Sequence, residues 1–117
     1  MPVSDRRGGI AELIGARLED VRAIPNDFGL NQNFPNPFNP ETQVSFQVPE
    51  DGDLSLIIYN TLGQQVRVLE QGPVEAGFHR VVWDGQDAFG RGVSSGIYLV
   101  RMQSGPFKAV GKMMLLK

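Results

Sequence analysis

Apolar residues recur along the chain in two rhythms, and the change between them falls near Pro25. Before it, Ile10, Leu13, Ile14, Leu18, Val21 and Ile24 return at helical spacing, with Glu12, Arg17, Glu19, Asp20 and Arg22 between them. That stripe predicts one amphipathic helix within residues 1–23, weakened at Gly15. After Pro25, short apolar runs are separated by Gly, Pro, Asn and Asp every 8–12 residues or so, which is the rhythm of an all-β sandwich or barrel. Residues 43–48 set Val44, Phe46 and Val48 against polar partners, and residues 54–59, 65–69, 79–83, 96–103 and 108–116 follow. With a short segment near Leu30 they make about seven antiparallel strands over residues 24–117. Phe46, Leu56, Ile58, Val81, Trp83, Tyr98 and Val100 are the expected core. "NTLGQ", residues 60–64, reads as a hairpin turn around Gly63, and "DGQDAFGRG", residues 84–92, as a longer corner rich in turn formers.

One stretch fits neither rhythm. "QNFPNPFNPET", residues 32–42, surrounds two phenylalanines with three prolines and three asparagines. Each proline fixes φ and lacks a backbone donor, and the residue before it is pushed to extended geometry. Residues Phe34, Pro35, Asn36, Pro37, Phe38 and Pro40 therefore form a shaped loop. Both rings would bury large apolar areas, so the loop is expected to be a packed plug closing one end of the sandwich. Its prolines would also keep the neighbourhood of the first strand from offering an unpaired edge.

Composition narrows the function classes. The chain has 117 residues, enough for one domain plus an appendage, with 41% hydrophobic and 21% charged residues. With 11 basic against 13 acidic residues the net charge is −2, which gives no broad attraction to nucleic acid or to an anionic membrane. No segment approaches the roughly 18 apolar residues of a spanning helix, so direct membrane insertion is not expected. The opening MPVSDRRGG runs into IAELIGARLEDV without a continuous apolar segment, so no export signal is expected at this start. Cysteine is absent, which removes disulfides and thiolate metal ligands.

Candidate chemistry is sparse. His79 is the only histidine, and a hydrolytic triad would need Ser94 or Ser95 and Asp84 or Asp87 to converge on it. Alternation instead places His79, Val81 and Trp83 on one strand face, with His79 partly buried. Asp84 and Asp87, with Gly85 and Gly90, suggest a calcium loop, but the DxDxDG spacing and the bidentate Glu are missing, and turn capping explains them. Trp83, Tyr59 and Tyr98 could stack on a sugar, yet a lone Trp ending a strand is more simply core. No catalysis, metal or cofactor is expected.

The segments NFPNPFNPET, IYNTLGQ and WDGQDAFGRGVSSGIY, in that order and spacing, closely resemble the type A C-terminal sorting domain of the type IX secretion system and the related immunoglobulin-like domain of the flagellar hook-capping protein. The resemblance runs from about Ile24 to Lys117. It implies an immunoglobulin-like β-sandwich that addresses rather than catalyses. A secreted cargo would lie upstream, and its partners would be the translocon and a sortase-like protease. The protein would then be secreted or held at the cell surface, via the periplasm. The family's terminal pattern, Gly-x-Tyr, then a glycine, then two spaced lysines, falls on Gly96 and Tyr98, Gly105, and Lys112 and Lys117. Gly111 stands where the family more often has a polar residue, and is expected to slacken the last strand.

Two other classes stay open on the sequence. One is a small structural or assembly subunit that docks through its helix and a sheet edge. The other is a carbohydrate-binding module, weakened by the shortage of aromatics free to be exposed. The stripe of Ile10, Leu13, Ile14, Leu18 and Val21 needs covering, because a helix of about 15 residues is marginal in water alone. Either another chain, a second copy or the preceding cargo domain, or the sandwich itself is expected to cover it.

Overall fold

Every second residue from Thr42 to Val48 is buried, and the same period runs through Leu54, Leu56 and Ile58 and through Tyr98, Val100 and Met102. A period of two puts these side chains on one face of each strand, so edge-to-edge pairing builds an apolar face that must be covered. In this computed structural model, which describes residues 24–117, two such faces cover each other. The helix expected from the amino-terminal stripe lies outside the described residues.

Seven strands form: β1 (Gly29–Leu30), β2 (Thr42–Val48), β3 (Gly52–Asn60), β4 (Gln65–Val74), β5 (Gly77–Trp83), β6 (Gly96–Ser104) and β7 (Phe107–Leu115). One sheet has the order β1-β2-β5 and the other β4-β3-β6-β7, with every pair antiparallel. The all-β architecture and its strand number match the sequence expectation. Strand β4 continues past residue 69, where the sequence reading ended it, through Gly72 and Pro73 to Val74. Pro73 is tolerated because β4 is an edge strand, so one side of its backbone needs no ladder partner. Two register shifts against β3 mark bulges in the same pairing.

The core joins Phe38, Val44, Phe46, Leu56, Ile58, Trp83, Tyr98, Val100, Met102, Met113 and Leu115, among others. Val81, expected within it, is half-buried and packs against it from β5, an edge of the smaller sheet. Strand β7 runs unbroken through Gly111, contrary to the expected slackening. A Cβ there would lie 3.2 Å from Val100 Cγ1 and 3.7 Å from Leu30 Cδ2, so the missing side chain is space that two apolar neighbours fill.

The turns use their polar residues as caps. Asn60 Oδ1 accepts from the amides of Leu62 and Gln64, each at 3.0 Å, which closes the β3–β4 hairpin at "NTLGQ". At the start of the 84–92 corner, Gly85 has φ +75°, and a Cβ on it would come within 2.8 Å of the Pro40 carbonyl oxygen. Both backbone conformation and space demand glycine there. Gly85→Ala should therefore cost about 1–3 kcal/mol or more in a thermal melt. Gly52→Ala, at a site with nothing within 4 Å, should be close to neutral.

Candidate recognition surface

The proline loop has its own hydrogen-bonding plan. Buried Asn33 donates through Nδ2 to Thr42 Oγ1 at 3.0 Å and to the Pro35 carbonyl at 3.2 Å, and Thr42 Oγ1 donates to that same carbonyl at 2.8 Å. These bonds close residues 33–42 on themselves and satisfy polar groups that would be costly to bury alone. The loop then lies against the last strand. Phe38 N donates to Met114 O at 2.9 Å and Leu116 N donates to Phe38 O at 3.0 Å, a short parallel pairing. Met114 N donates to Asn36 Oδ1 at 2.9 Å, and Gln32 Nε2 donates to Lys112 O at 3.2 Å. Backbone and amide side chains thus latch the far half of β7.

The two phenylalanines part company. Phe38 is 2% exposed, its ring centroid 5.5 Å from that of Trp83. Phe34 is 77% exposed, so the expectation that both rings pack is corrected. The cause is pairing: Phe34 and Gln43 exchange both backbone bonds, at 3.0 and 2.8 Å. Directly paired residues share a sheet face, and Gln43 is on the solvent side.

The terminal pattern falls on the β6–β7 hairpin. Gly96 opens β6 opposite Leu115, and Gly105 turns the hairpin with φ +58°. Tyr98 is 6% exposed, stacks edge-on to Trp83 at 5.3 Å, and donates its hydroxyl proton to Ser94 O at 2.6 Å. These three residues shape and seat the hairpin. Lys112 and Lys117 are the members of the set that carry exposed side chains. Lys112 projects from the outer face of β7, and Lys117 follows the strand with its amide donating to Ser95 Oγ at 2.9 Å.

In the 84–92 corner, Asp84 accepts from Gln86 N at 3.0 Å and from Arg67 Nη1 at 3.1 Å. Asp87 Oδ1 accepts from Phe89 N at 2.9 Å and Arg91 N at 3.0 Å, and Arg91 Nε lies 3.3 Å from Oδ2. The Arg91 amide, with the Phe89 amide and the Arg91 charge, holds the Asp87 carboxyl below its ordinary pKa. The sign follows: its contribution to stability is complete above the ordinary carboxylate pKa and is lost as pH falls through the lowered value. In thermal melts, Asp87→Asn should be destabilising at neutral pH and progressively less so in acid.

A groove of about 560 Å³ lies between this corner and the β3–β4 turn, beside the exposed Phe89 ring, over which Arg91 sits at 5.1 Å. His79 stacks on Phe46 at 5.2 Å, with Nε2 2.7 Å from Glu75 O. No hydrogen bond among the described residues ties it to Ser94, Ser95, Asp84 or Asp87. Trp83 and Tyr98 are buried, so the sugar-stacking triad is not assembled on the surface. What sequence reasoning missed is the network that joins the Gln32 and Asn33 amides to the Thr42 hydroxyl. Its available signal was the unusual density of Asn and Gln around the prolines.

These features define a β-sandwich with a proline-loop latch on its last strand. The profile of the FlgD Ig-like domain matches residues 32–105, more than half of the chain, and the chain belongs to that family. Strand β7 lies beyond the matched residues. Two solved structures from Porphyromonas gingivalis share the fold. One is PorZ, described as an essential bacterial surface component of the type-IX secretion system, with TM-score 0.50 and 21% identity. The other is the dimeric latent form of PorU, with TM-score 0.53 and 22% identity. Each match covers 77% of this chain, which spans only 11% of the PorZ chain and 9% of the PorU chain. No curated protein matches the chain in sequence.

Proposed function

We propose that this chain is a non-catalytic C-terminal sorting and anchoring domain, which directs an upstream cargo protein through the type IX secretion system to the cell surface. The observation that carries the reading is the β6–β7 hairpin. Gly96, Tyr98 and Gly105 build it, and Lys112 and Lys117 stand exposed on and just beyond its last strand, in the order and spacing of the type A terminal pattern. Membership of the FlgD Ig-like family and the shared fold of PorZ support it. In this reading the translocon and a sortase-like protease engage the hairpin, the domain needs no metal or cofactor, and its place is secreted or surface-attached.

Lysine variants test the address without disturbing the fold. Lys112→Ala should change stability by less than about 0.5 kcal/mol, because the charge is exposed and the backbone bonds around it do not depend on the side chain. Lys112→Glu with Lys117→Glu, in the full chain fused behind a signal peptide and a reporter, should leave the melting temperature nearly unchanged. It should also sharply lower the surface reporter in a host with the type IX machinery. Surface display equal to that of the parent chain would remove the lysines from the address.

A further inference from the structure

The latch leaves half of the last strand's outer edge open. Lys112 O, Met114 N, Met114 O and Leu116 N all bond outward to the proline loop rather than to β6. In an antiparallel ladder, alternate residues direct both backbone groups to the same side. Lys108 and Val110 therefore face outward as well, and among the described residues nothing bonds to their N–H or C=O groups. The opening is bounded by the Gly105 turn at one end and by Gln32 and Asn36 at the other. On its exposed face it carries Lys108, Val110 and Lys112, with Val110 62% exposed.

Charge selects what can pair there. A second copy laid antiparallel about Val110 would set Lys108 opposite Lys112 at both ends, and a copy laid parallel in register would set lysine opposite lysine. Like charges directly across a ladder are destabilising, so this edge resists its own copy. An apolar residue flanked by carboxylates would instead meet Val110 and both lysines. Elsewhere, edge strand β4 is guarded by its bulges, by Pro73, and by the Ala88 amide that occupies Val66 O at 3.0 Å. Strand β1 has only 2 residues.

We propose that the open edge of β7 at Lys108–Lys112 is a β-augmentation site for an extended acidic segment of a partner polypeptide, one with an apolar residue between two carboxylates. The inference rests on the sorting reading, in which this strand is what the export machinery engages, and it specifies how: main-chain pairing supplies the attachment and the lysines select the sequence.

The test uses the full chain and a capped synthetic peptide of about seven residues, with valine at its centre and glutamate two places to either side. Amide hydrogen exchange should slow, saturably, at Lys108 and Val110. A peptide with lysine in place of glutamate should bind about tenfold more weakly or worse at low salt. Val110→Pro removes an outward N–H that makes no bond to β6, so the fold should survive while peptide binding is lost. If that variant does not fold, Lys108→Glu with Lys112→Glu leaves the backbone intact and should reverse the preference toward the lysine peptide.

Unchanged binding by folded Val110→Pro, no reversal by the double variant, or protection on β5 in place of β7 would overturn the proposal. So would a concentration-dependent dimer that Val110→Pro abolishes, since the occupant would then be a second copy. In the reporter fusion, Val110→Pro should also lower surface display. Normal display of Val110→Pro, with display lost in the charge-reversed Lys112 and Lys117 variant, would remove edge pairing and leave the sorting reading standing. No surface display from the parent fusion itself would remove the sorting reading, while peptide binding would still decide the edge.

Discussion

Replacing Trp83 by alanine should cost about 3–5 kcal/mol in a urea melt, a large part of the roughly 5–15 kcal/mol that a small domain has. Trp83 is fully buried where β5 meets the 84–92 corner. Its ring packs between Phe38 of the proline loop, at 5.5 Å, and Tyr98 of β6, at 5.3 Å. Its indole N–H donates to Gln86 O at 2.9 Å, so truncation removes packing from both sheets and leaves that corner carbonyl with only the Arg67 Nη1 bond at 3.2 Å. A loss below about 1 kcal/mol would contradict its place at the centre of the core.

Phe38→Ala should be nearly as damaging, at about 3–5 kcal/mol, while Phe34→Ala should lie within about 0.5 kcal/mol of the parent. Both rings sit in the same proline loop, but Phe38 is 2% exposed and Phe34 is 77% exposed. Phe38 anchors the loop that latches β7, so its loss should also loosen the far end of that strand. Amide exchange should speed up at Met114 and Leu116, whose amides donate to Asn36 Oδ1 and Phe38 O. Equal costs for the two substitutions would mean that the loop does not separate its rings in this way.

Much of this fold was legible in the alternation of apolar residues, because a half-buried strand must repeat every second position. Val44, Phe46 and Val48 announced β2, and Leu54, Leu56 and Ile58 announced β3. The end of β4 was not legible. Gly72 and Pro73 read as a strand stop, and only the position of β4 at a sheet edge makes them admissible. The proline loop shows another limit: its composition says that apolar rings are present, but the pairing of Phe34 with Gln43 decides which ring faces solvent. Thr42 and Asn33 look like ordinary polar loop residues, yet both are buried and bonded to each other, a relation that exists only once the loop has closed.

The candidate site divides along the same line. Gly96, Tyr98 and Gly105 stood out by resemblance as recognition residues, and in the fold they set a strand start, a core contact and a hairpin turn. Only Lys112 and Lys117 of that set present side chains to solvent. The open edge beside Lys108 and Val110 carries no sequence signature, because which half of β7 is covered depends on where the distant loop lands.

Surface display of a passenger tests the sorting account most directly. The full chain is joined to the carboxyl end of a reporter that carries its own signal peptide, and is expressed in a bacterium with the type IX machinery. The measurement is the share of reporter that added protease removes from intact cells. Most of the reporter should be on the surface, and it should stay in the periplasm in a host lacking the translocon. A fusion with a folded domain, confirmed by its melt, whose reporter nonetheless remains periplasmic in the competent host would contradict the account.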